Sequence, residues 1–267
     1  MTSPNELPSG RPASFDDWLQ AFKEQASFFT GLKLDVGLPR WPLADVLPVL
    51  PVIGAAVGLA AGLVFAIVRG IAGPGWLAAV LAVGAAVLIT RALHEDGLAD
   101  TADGLGPHAL EPARRLEIMR DSRNGTFGVL ALALTVLIKV ACLAQFSGAT
   151  GLVVLIGAHA LSRAVIAYPL LAFSPVHQDG LGAQVGKPTD NGVWLTIGLG
   201  AALAFLLLLG KGFFVAILAP LAAIAAGWLA SRWIADRIGG YTGDTLGAVQ
   251  QKAEIAFLIV AAILIAR

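Results

Sequence analysis

Seven long apolar runs dominate the chain and predict helices that cross a membrane. Each run is close to the roughly 20 residues that a helix needs to span the hydrocarbon core. Glycine and alanine are frequent within the runs, which is typical of helices that pack closely in a bilayer. The runs cover residues 46–69, 75–94, 127–146, 151–173, 192–210, 213–235 and 250–266.

Ahead of these runs, apolar residues recur at helical spacing instead of forming a continuous block. They repeat every three or four positions over residues 15–29, and Ser14 precedes them as an N-cap candidate. This pattern predicts an amphipathic helix lying on the membrane surface, although a soluble partner-binding helix shows the same pattern. We divide the chain into a disordered N-terminus (1–13), an interfacial helix with its connection (14–45) and one transmembrane catalytic domain (46–267).

The composition agrees with a membrane protein. Hydrophobic residues make up 57% of the 267 positions and charged residues only 13%, about half of the ~25% that is usual in soluble domains. The mean hydropathy is +0.78. The formal net charge is zero and no basic run is present, which argues against a nucleic-acid partner. We therefore predict an all-α, polytopic membrane helix bundle of about seven transmembrane helices, in contact with the lipid bilayer, plus the N-terminal interfacial helix.

Lysine and arginine are unequally divided between the two predicted sides of the membrane. Most of them lie with the N-terminus and the loops 95–126, 174–191 and 236–249, whereas the opposite side carries Arg69, Lys211 and Arg267. Positively charged loops remain in the cytoplasm. This bias predicts a multi-pass protein of the bacterial inner membrane whose long loops face the cytoplasm and whose C-terminus is external.

An acidic stretch follows the second apolar run. Asp96, Asp100 and Asp103 stand at i, i+4 and i+7, so a helix that continued from the run would place them on one face. Three stacked carboxylates repel one another, and hard oxygen ligands suit Mg²⁺, Mn²⁺ or Ca²⁺. Gly97 and Gly104 would let a phosphorylated substrate approach the backbone. An acidic, solvated loop at a membrane surface is the alternative.

Further charged residues gather on the same predicted side. Asp121 is a candidate for an additional metal ligand, and the flanking Arg120 and Arg123 have the forked geometry that holds phosphate oxygens. Asp244 lies between glycines in a predicted loop and would complete a cation site. Lys187 belongs to another glycine-rich loop that is typical of phosphate contacts, although such loops are also ordinary turns.

Three basic residues lie well inside predicted spans, away from the span ends. Because a charge in the membrane costs a few kcal/mol or more, each is expected to face the bundle interior and to have a partner. Arg163 is our candidate for contact with a phosphate or with a metal-site carboxylate. His159 fits a hydrogen bond between helices better than a ligand role, and Lys139 fits a structural ion pair or a snorkelling side chain.

Four motifs, in order along the chain, closely resemble those of the cobalamin synthase family, the adenosylcobinamide-GDP ribazoletransferases of late vitamin B12 assembly. The resemblance covers about residues 15–260. Two places depart from the family pattern, Asn124 and the segment 31–33. The motifs are residues 94–104 (HEDGLADTADG), 119–123 followed by 125–128, 162–163, and 239–248 (GGYTGDTLGA).

The resemblance implies a Mg²⁺-dependent membrane transferase that joins adenosylcobinamide-GDP to α-ribazole or its 5′-phosphate and releases GMP. The residues then divide into three sets of predicted roles. As catalytic residues we select His94, Asp96, Asp100 and Asp103; as metal ligands Asp96, Asp100, Asp103, Asp121 and Asp244; and as substrate-binding residues Arg120, Arg123, Arg163, Lys187, Gly97 and Gly104.

Two other functions share parts of this pattern. A CDP-alcohol phosphatidyltransferase also uses membrane-surface aspartates, but its Asp-Gly pair is followed by Ala-Arg, whereas Ala99 here precedes Asp100. A cation-coupled transporter would use the acidic stretch as its ion site, yet the chain shows no internal repeat. The sequence does not determine the oligomeric state, and a homo-oligomer is compatible with it.

Overall fold

Helices form nearly all of the regular structure in the computed structural model, which describes residues 11–34, 36–37, 39–108, 110–121, 123–177 and 185–265. Within these residues the only β-contact is an isolated bridge between Pro175 and Tyr241. The helices are α1 (Phe15–Phe29), α2 (Val49–Gly70), α3 (Gly75–Thr90), α4 (Leu93–Leu105), α5 (Pro112–Met119), α6 (Thr126–Leu143), α7 (Gly148–Val165), α8 (Ala167–Ala172), α9 (Asp190–Leu209), α10 (Phe213–Ile238) and α11 (Gly243–Ile265).

Six helical segments within the described residues are long and apolar enough to cross a membrane: α2, α6, α7 with α8, α9, α10 and α11. The pair α3 and α4 passes the same test only when its two bent helices are taken together. The chain is thus a multi-pass membrane protein, and the predicted all-α polytopic bundle is confirmed. The last helix begins at Gly243, seven residues ahead of the predicted run, so Asp244 lies in a helical first turn and not in a loop.

The acidic stretch does not continue the helix before it, and this part of the prediction is wrong. The helix α3 ends at Arg91 and Ala92, two non-glycine residues in the left-handed region with φ of +52° and +55°. The N–H of Ala92 donates to Val87 O at 2.8 Å, which closes the end of α3. The helix α4 then leaves at 91° to α3. The acidic residues therefore lie on a separate helix at the end of the bundle, outside the spanning helices.

Glycines let α2 pack directly on α7. A Cβ atom added at Gly54 would lie 2.2 Å from His159 O, and one added at Gly58 would lie 2.5 Å from Leu155 O. Real Cβ atoms do not approach a carbonyl oxygen so closely. This contact is the close packing that the small residues of the first apolar run predict.

The helix α1 begins where the sequence predicts. Ser14 Oγ accepts a hydrogen bond from the N–H of Asp17 at 3.1 Å, and Asp17 Oδ2 accepts one from the N–H of Ser14 at 3.0 Å. These reciprocal bonds form a capping box. Residues 1–10 of the predicted disordered N-terminus lie outside the described residues. The membrane-surface position of α1 and the domain division at residue 46 stay predictions.

Candidate active site

The acidic helix α4 lies across the cytoplasm-predicted end of the bundle and packs mainly on α11 and α6. Its crossing with α11 depends on glycine, because a Cβ atom at Gly97 would lie 2.5 Å from Asp244 O. Beside Gly104, the space is filled by Met119 and by the backbone of Arg115. Neither glycine leaves its backbone open on that side, and their substrate-binding role stays a prediction. The crossing at Gly97 brings Asp244 of α11 to the carboxylates of α4.

Four carboxylates lie in this region: Asp96, Asp100 and Asp103 of α4 and Asp244 of α11. Asp96 is exposed, whereas Asp100 and Asp244 are partly buried and Asp103 is buried. Burial, and after it the negative charges of Asp96, Asp244 and Asp103, raises the pKa of Asp100 to about 6 from its ordinary value of 3.8. The like charges come from two separate helices. A cation is the partner that this arrangement favours.

Asp103 has a further role that sequence reasoning missed. Its Oδ2 accepts a hydrogen bond from the N–H of Gly125 at 2.7 Å, and its Oδ1 accepts one from the N–H of Gly128 at 2.8 Å. These N–H groups belong to the first turn of α6, whose own N-cap, Gly125, has no side chain to satisfy them. A Cβ atom at either glycine would lie 2.4 Å from an Asp103 oxygen. Asp103 therefore caps α6 from another helix. The feature of the sequence that could have indicated this cap is the pair of glycines at the start of an apolar run.

Asp121 lies apart from the other carboxylates. Arg123 donates to it through Nε at 3.0 Å and through Nη2 at 2.6 Å. These bonds to Arg123 hold the pKa of Asp121 down at about 2. Asp121 does not figure among the charges that act on Asp100. Arg120 and Arg123 are exposed near the end of α5 and open to a ligand from outside. The ligand role of Asp121 and the phosphate roles of the two arginines stay predictions.

His94 of α4 and Arg163 of α7 are both buried in the interior of the bundle. The His94 ring stacks on Phe29 with ring centroids 6.1 Å apart, and its side chain is only 3% exposed. Arg163 is 1% exposed, and its Nη1 lies 3.0 Å from His159 Nδ1. The expectation that Arg163 faces the interior with a partner is confirmed. The structure does not bring Arg163 to the exposed carboxylates. The catalytic role of His94 and the substrate contact of Arg163 stay predictions.

A polar cleft of about 380 Å³ opens beside the motif that precedes α11. Lys187 is exposed at its edge, and Tyr241 lines it three residues before Asp244. The strand-like bridge between Pro175 and Tyr241 joins the two walls of the cleft. The predicted phosphate-binding lysine thus lies at a cavity that is also lined by Tyr241 of the motif preceding α11.

The donor set can be compared with the needs of a metal ion. Within the described residues, no three His, Cys, Asp or Glu side chains are gathered closely enough to hold a metal by themselves. Magnesium, however, is usually bound through one or two carboxylates, with waters and substrate phosphates as its other ligands. The exposed Asp96 and the partly buried Asp100 and Asp244 offer oxygen ligands of that kind. The residues fit magnesium bound together with a phosphorylated substrate.

Comparisons with known proteins agree on one family. A family model described as cobalamin-5-phosphate synthase matches residues 21–262. A protein of Allorhizobium ampelinum is 43% identical over 213 residues, which are 78% of this chain and 82% of that protein. A protein of Bradyrhizobium diazoefficiens is 41% identical over 89% of this chain and 91% of its own, and one of Shewanella amazonensis is 40% identical over 93% and 96%. All three are named adenosylcobinamide-GDP ribazoletransferase. No solved structure matches the chain.

Proposed function

Because the chain belongs to the cobalamin-5-phosphate synthase family, we propose that it is an adenosylcobinamide-GDP ribazoletransferase whose acidic helix α4 binds magnesium. The substrates are adenosylcobinamide-GDP and α-ribazole or its 5′-phosphate, and the products are adenosylcobalamin or its 5′-phosphate and GMP. The observation that carries the magnesium part is the convergence of Asp96, Asp100 and Asp244 from two helices on one region. The family and the names of the relatives favour neither the phosphatidyltransferase nor the transporter.

The reaction is a displacement at phosphorus. A ribazole hydroxyl attacks the phosphorus attached to cobinamide, a new P–O bond forms, and the bond from that phosphorus to the bridging oxygen of GMP breaks. A bound magnesium ion would supply positive charge that neutralises the diphosphate and stabilises GMP as the leaving group. Two of the three aspartates Asp96, Asp100 and Asp244 would hold it, since magnesium is usually bound through one or two carboxylates. Asp103 would contribute by fixing α6 against α4, since both of its oxygens already accept backbone hydrogen bonds.

The proton of the attacking hydroxyl needs an acceptor within hydrogen-bond reach. Of the base candidates, His94 stacks on Phe29 in the interior, whereas Asp96 and Asp100 lie on the accessible side of α4. An aspartate not engaged by the metal is therefore the better candidate. The exposed Arg120 and Arg123 would hold substrate phosphate oxygens, and Lys187 would do so from the neighbouring cleft.

We propose that the protein lies in the bacterial inner membrane with this end of the bundle facing the cytoplasm, an orientation that the positive-inside bias of its lysines and arginines supports. A corrinoid is large and partly apolar, so a site at the membrane surface suits it. The loops that carry Arg123 and Lys187 would then meet substrates made in the cytosol.

The test is turnover of purified protein in lipid vesicles with adenosylcobinamide-GDP and α-ribazole phosphate, following GMP and the corrinoid product. We expect product in the presence of Mg²⁺, none after chelation, and a loss of at least about 100-fold in folded Asp100→Asn. The matched control is Asp236→Asn, an exposed aspartate near the end of α10, which should retain wild-type turnover. Absence of product from folded wild type would refute the proposal, and CMP release from a CDP-lipid would replace it with the phosphatidyltransferase.

A further inference from the structure

One acidic residue of α4 faces away from the candidate site. Glu95 is mostly buried, with its side chain 13% exposed, whereas the adjacent Asp96 is exposed. Its Oε1 accepts a hydrogen bond from Gln251 Nε2 of α11 at 2.9 Å and lies 3.8 Å from Lys139 Nζ of α6. Glu95 thus contacts the two helices on which α4 mainly packs.

These partners are themselves held in a buried polar network. Lys139 Nζ lies 2.7 Å from Glu254 Oε1, and Gln250 Nε2 donates to Glu254 Oε2 at 2.7 Å. Gln251 also donates to Gln250 Oε1 at 2.9 Å, so the glutamine that holds Glu95 is tied to its neighbour. The network contains two acidic residues, Glu95 and Glu254, and two basic residues, Lys139 and Arg163, and His159 joins Arg163 to Glu254. Such a balanced and buried set resists rearrangement, because moving any member leaves another without its partner.

The position of Glu95 determines where the next residues of α4 point. Consecutive residues of an α-helix are about 100° apart around its axis. With Glu95 held towards α11 and α6, Asp96 must lie on the outer side, and Asp100, one turn later, shares that side. Because a 91° bend separates α4 from α3, the preceding helix does not set the rotation of α4, and side-chain contacts such as those of Glu95 and Asp103 must fix it.

We infer that Glu95 is a positioning residue for the proposed transfer reaction: its hydrogen bond with Gln251 fixes the rotation of α4 and thereby aims Asp96 and Asp100 at the bound cation and substrate. This inference rests on the proposed function for its catalytic consequence. Its structural part, the aim of the carboxylates towards a divalent cation, is independent of which phosphoryl group is transferred.

Two substitutions distinguish the effect of losing the hydrogen bond to Gln251 from the effect of losing the negative charge of Glu95. Glu95→Gln and Glu95→Leu both remove the negative charge near Lys139, but only glutamine retains an oxygen that can accept from Gln251. A displacement of catalytic groups by about 1 Å, caused by a substitution outside the site, can lower activity by about 100-fold, and loss of the groups that orient metal ligands lowers metal affinity by about 10- to 100-fold. We expect Glu95→Leu to lose kcat and Mn²⁺ affinity within that range, KM for both substrates to change less than about twofold, and Glu95→Gln to recover most of the loss.

The experiment measures Mn²⁺ binding by electron paramagnetic resonance and turnover with Mg²⁺, on full-length protein in lipid. Gln251→Leu removes the same hydrogen bond from the α11 side without changing any charge and should reproduce Glu95→Leu. Its matched control is Lys252→Leu, the exposed neighbour on α11, which should behave as wild type. Each variant is first checked for folding by its thermal unfolding curve, and Gln251→Leu carries the test if Glu95→Leu does not fold.

Three results would overturn the inference: wild-type Mn²⁺ affinity in folded Glu95→Leu and Gln251→Leu, equal losses in Glu95→Gln and Glu95→Leu, or a loss confined to KM. The Mn²⁺ measurement also separates this inference from the proposed function. If wild type transfers no ribazole but binds Mn²⁺, the function fails while the comparison of Glu95→Gln with Glu95→Leu still decides the anchor.

Discussion

The cap that Asp103 provides for α6 leads to a large and specific stability prediction. In Asp103→Ala, the N–H groups of Gly125 and Gly128 lose their acceptor. Removing a helix cap costs roughly 0.5–2 kcal/mol, and leaving a buried donor such as Gly128 N–H unpaired costs roughly 1–3 kcal/mol more. We therefore expect Asp103→Ala to lower the free energy of unfolding by about 1.5–5 kcal/mol.

The assay is reversible denaturant unfolding in mixed micelles, with hydrogen exchange of the first turn of α6 as a local probe. Exchange should accelerate at residues 126–129 before it does so elsewhere in the helix. Asp103→Asn should show an intermediate loss, because its amide has one acceptor oxygen for two donors. Asp100→Ala is the control on the same helix face and should lose no stability. Unchanged unfolding and unchanged exchange in Asp103→Ala would refute the cap.

Two more predictions concern charge and packing. Because the pKa of Asp100 is raised to about 6 in the folded protein from 3.8, its ionisation opposes folding. In chelator, the Tm of Asp100→Asn should therefore exceed that of wild type above about pH 6, and the difference should vanish as the pH falls towards 4; a difference that grows with acidity would contradict this. Gly58→Ala places a Cβ atom 2.5 Å from Leu155 O, and overpacking of this kind costs roughly 1–3 kcal/mol. Gly84→Ala, whose Cβ atom would meet nothing within 4 Å, is the control, and equal unfolding curves for the two variants would exclude tight α2–α7 packing.

Much of the candidate site was predictable because its motifs are local. The i, i+4, i+7 spacing correctly predicted that Asp96 and Asp100 share a helix face, and the interior location of Lys139 and Arg163 followed from the cost of charge in a membrane. Lys139 does form the expected ion pair, with Glu254. These inferences need only the periodicity of the α-helix and the apolar nature of the membrane interior.

Other parts depend on contacts between distant segments. Nothing near Asp103 in the sequence shows that its carboxylate oxygens will accept hydrogen bonds from the N–H groups of residues 125 and 128. Likewise, nothing near Glu95 shows that Gln251 will lie opposite it. The break at Arg91 and Ala92 likewise places two ordinary residues in the left-handed region. Such a conformation, which costs on the order of 1 kcal/mol per residue, persists only when surrounding structure holds it.

By itself, therefore, the sequence determined the helical class, the membrane as solvent, the N-cap of α1 and the family to which the acidic motif belongs. The spacing of apolar residues and the length of apolar runs encode these properties within single segments of the chain. Only the tertiary structure decided the 91° turn of α4, the helical start before Asp244 and the division of the acidic residues among a cation-facing side, a cap and a buried anchor. The physical reason is that one carboxylate can serve any of these roles, and which groups face it across the bundle selects the role.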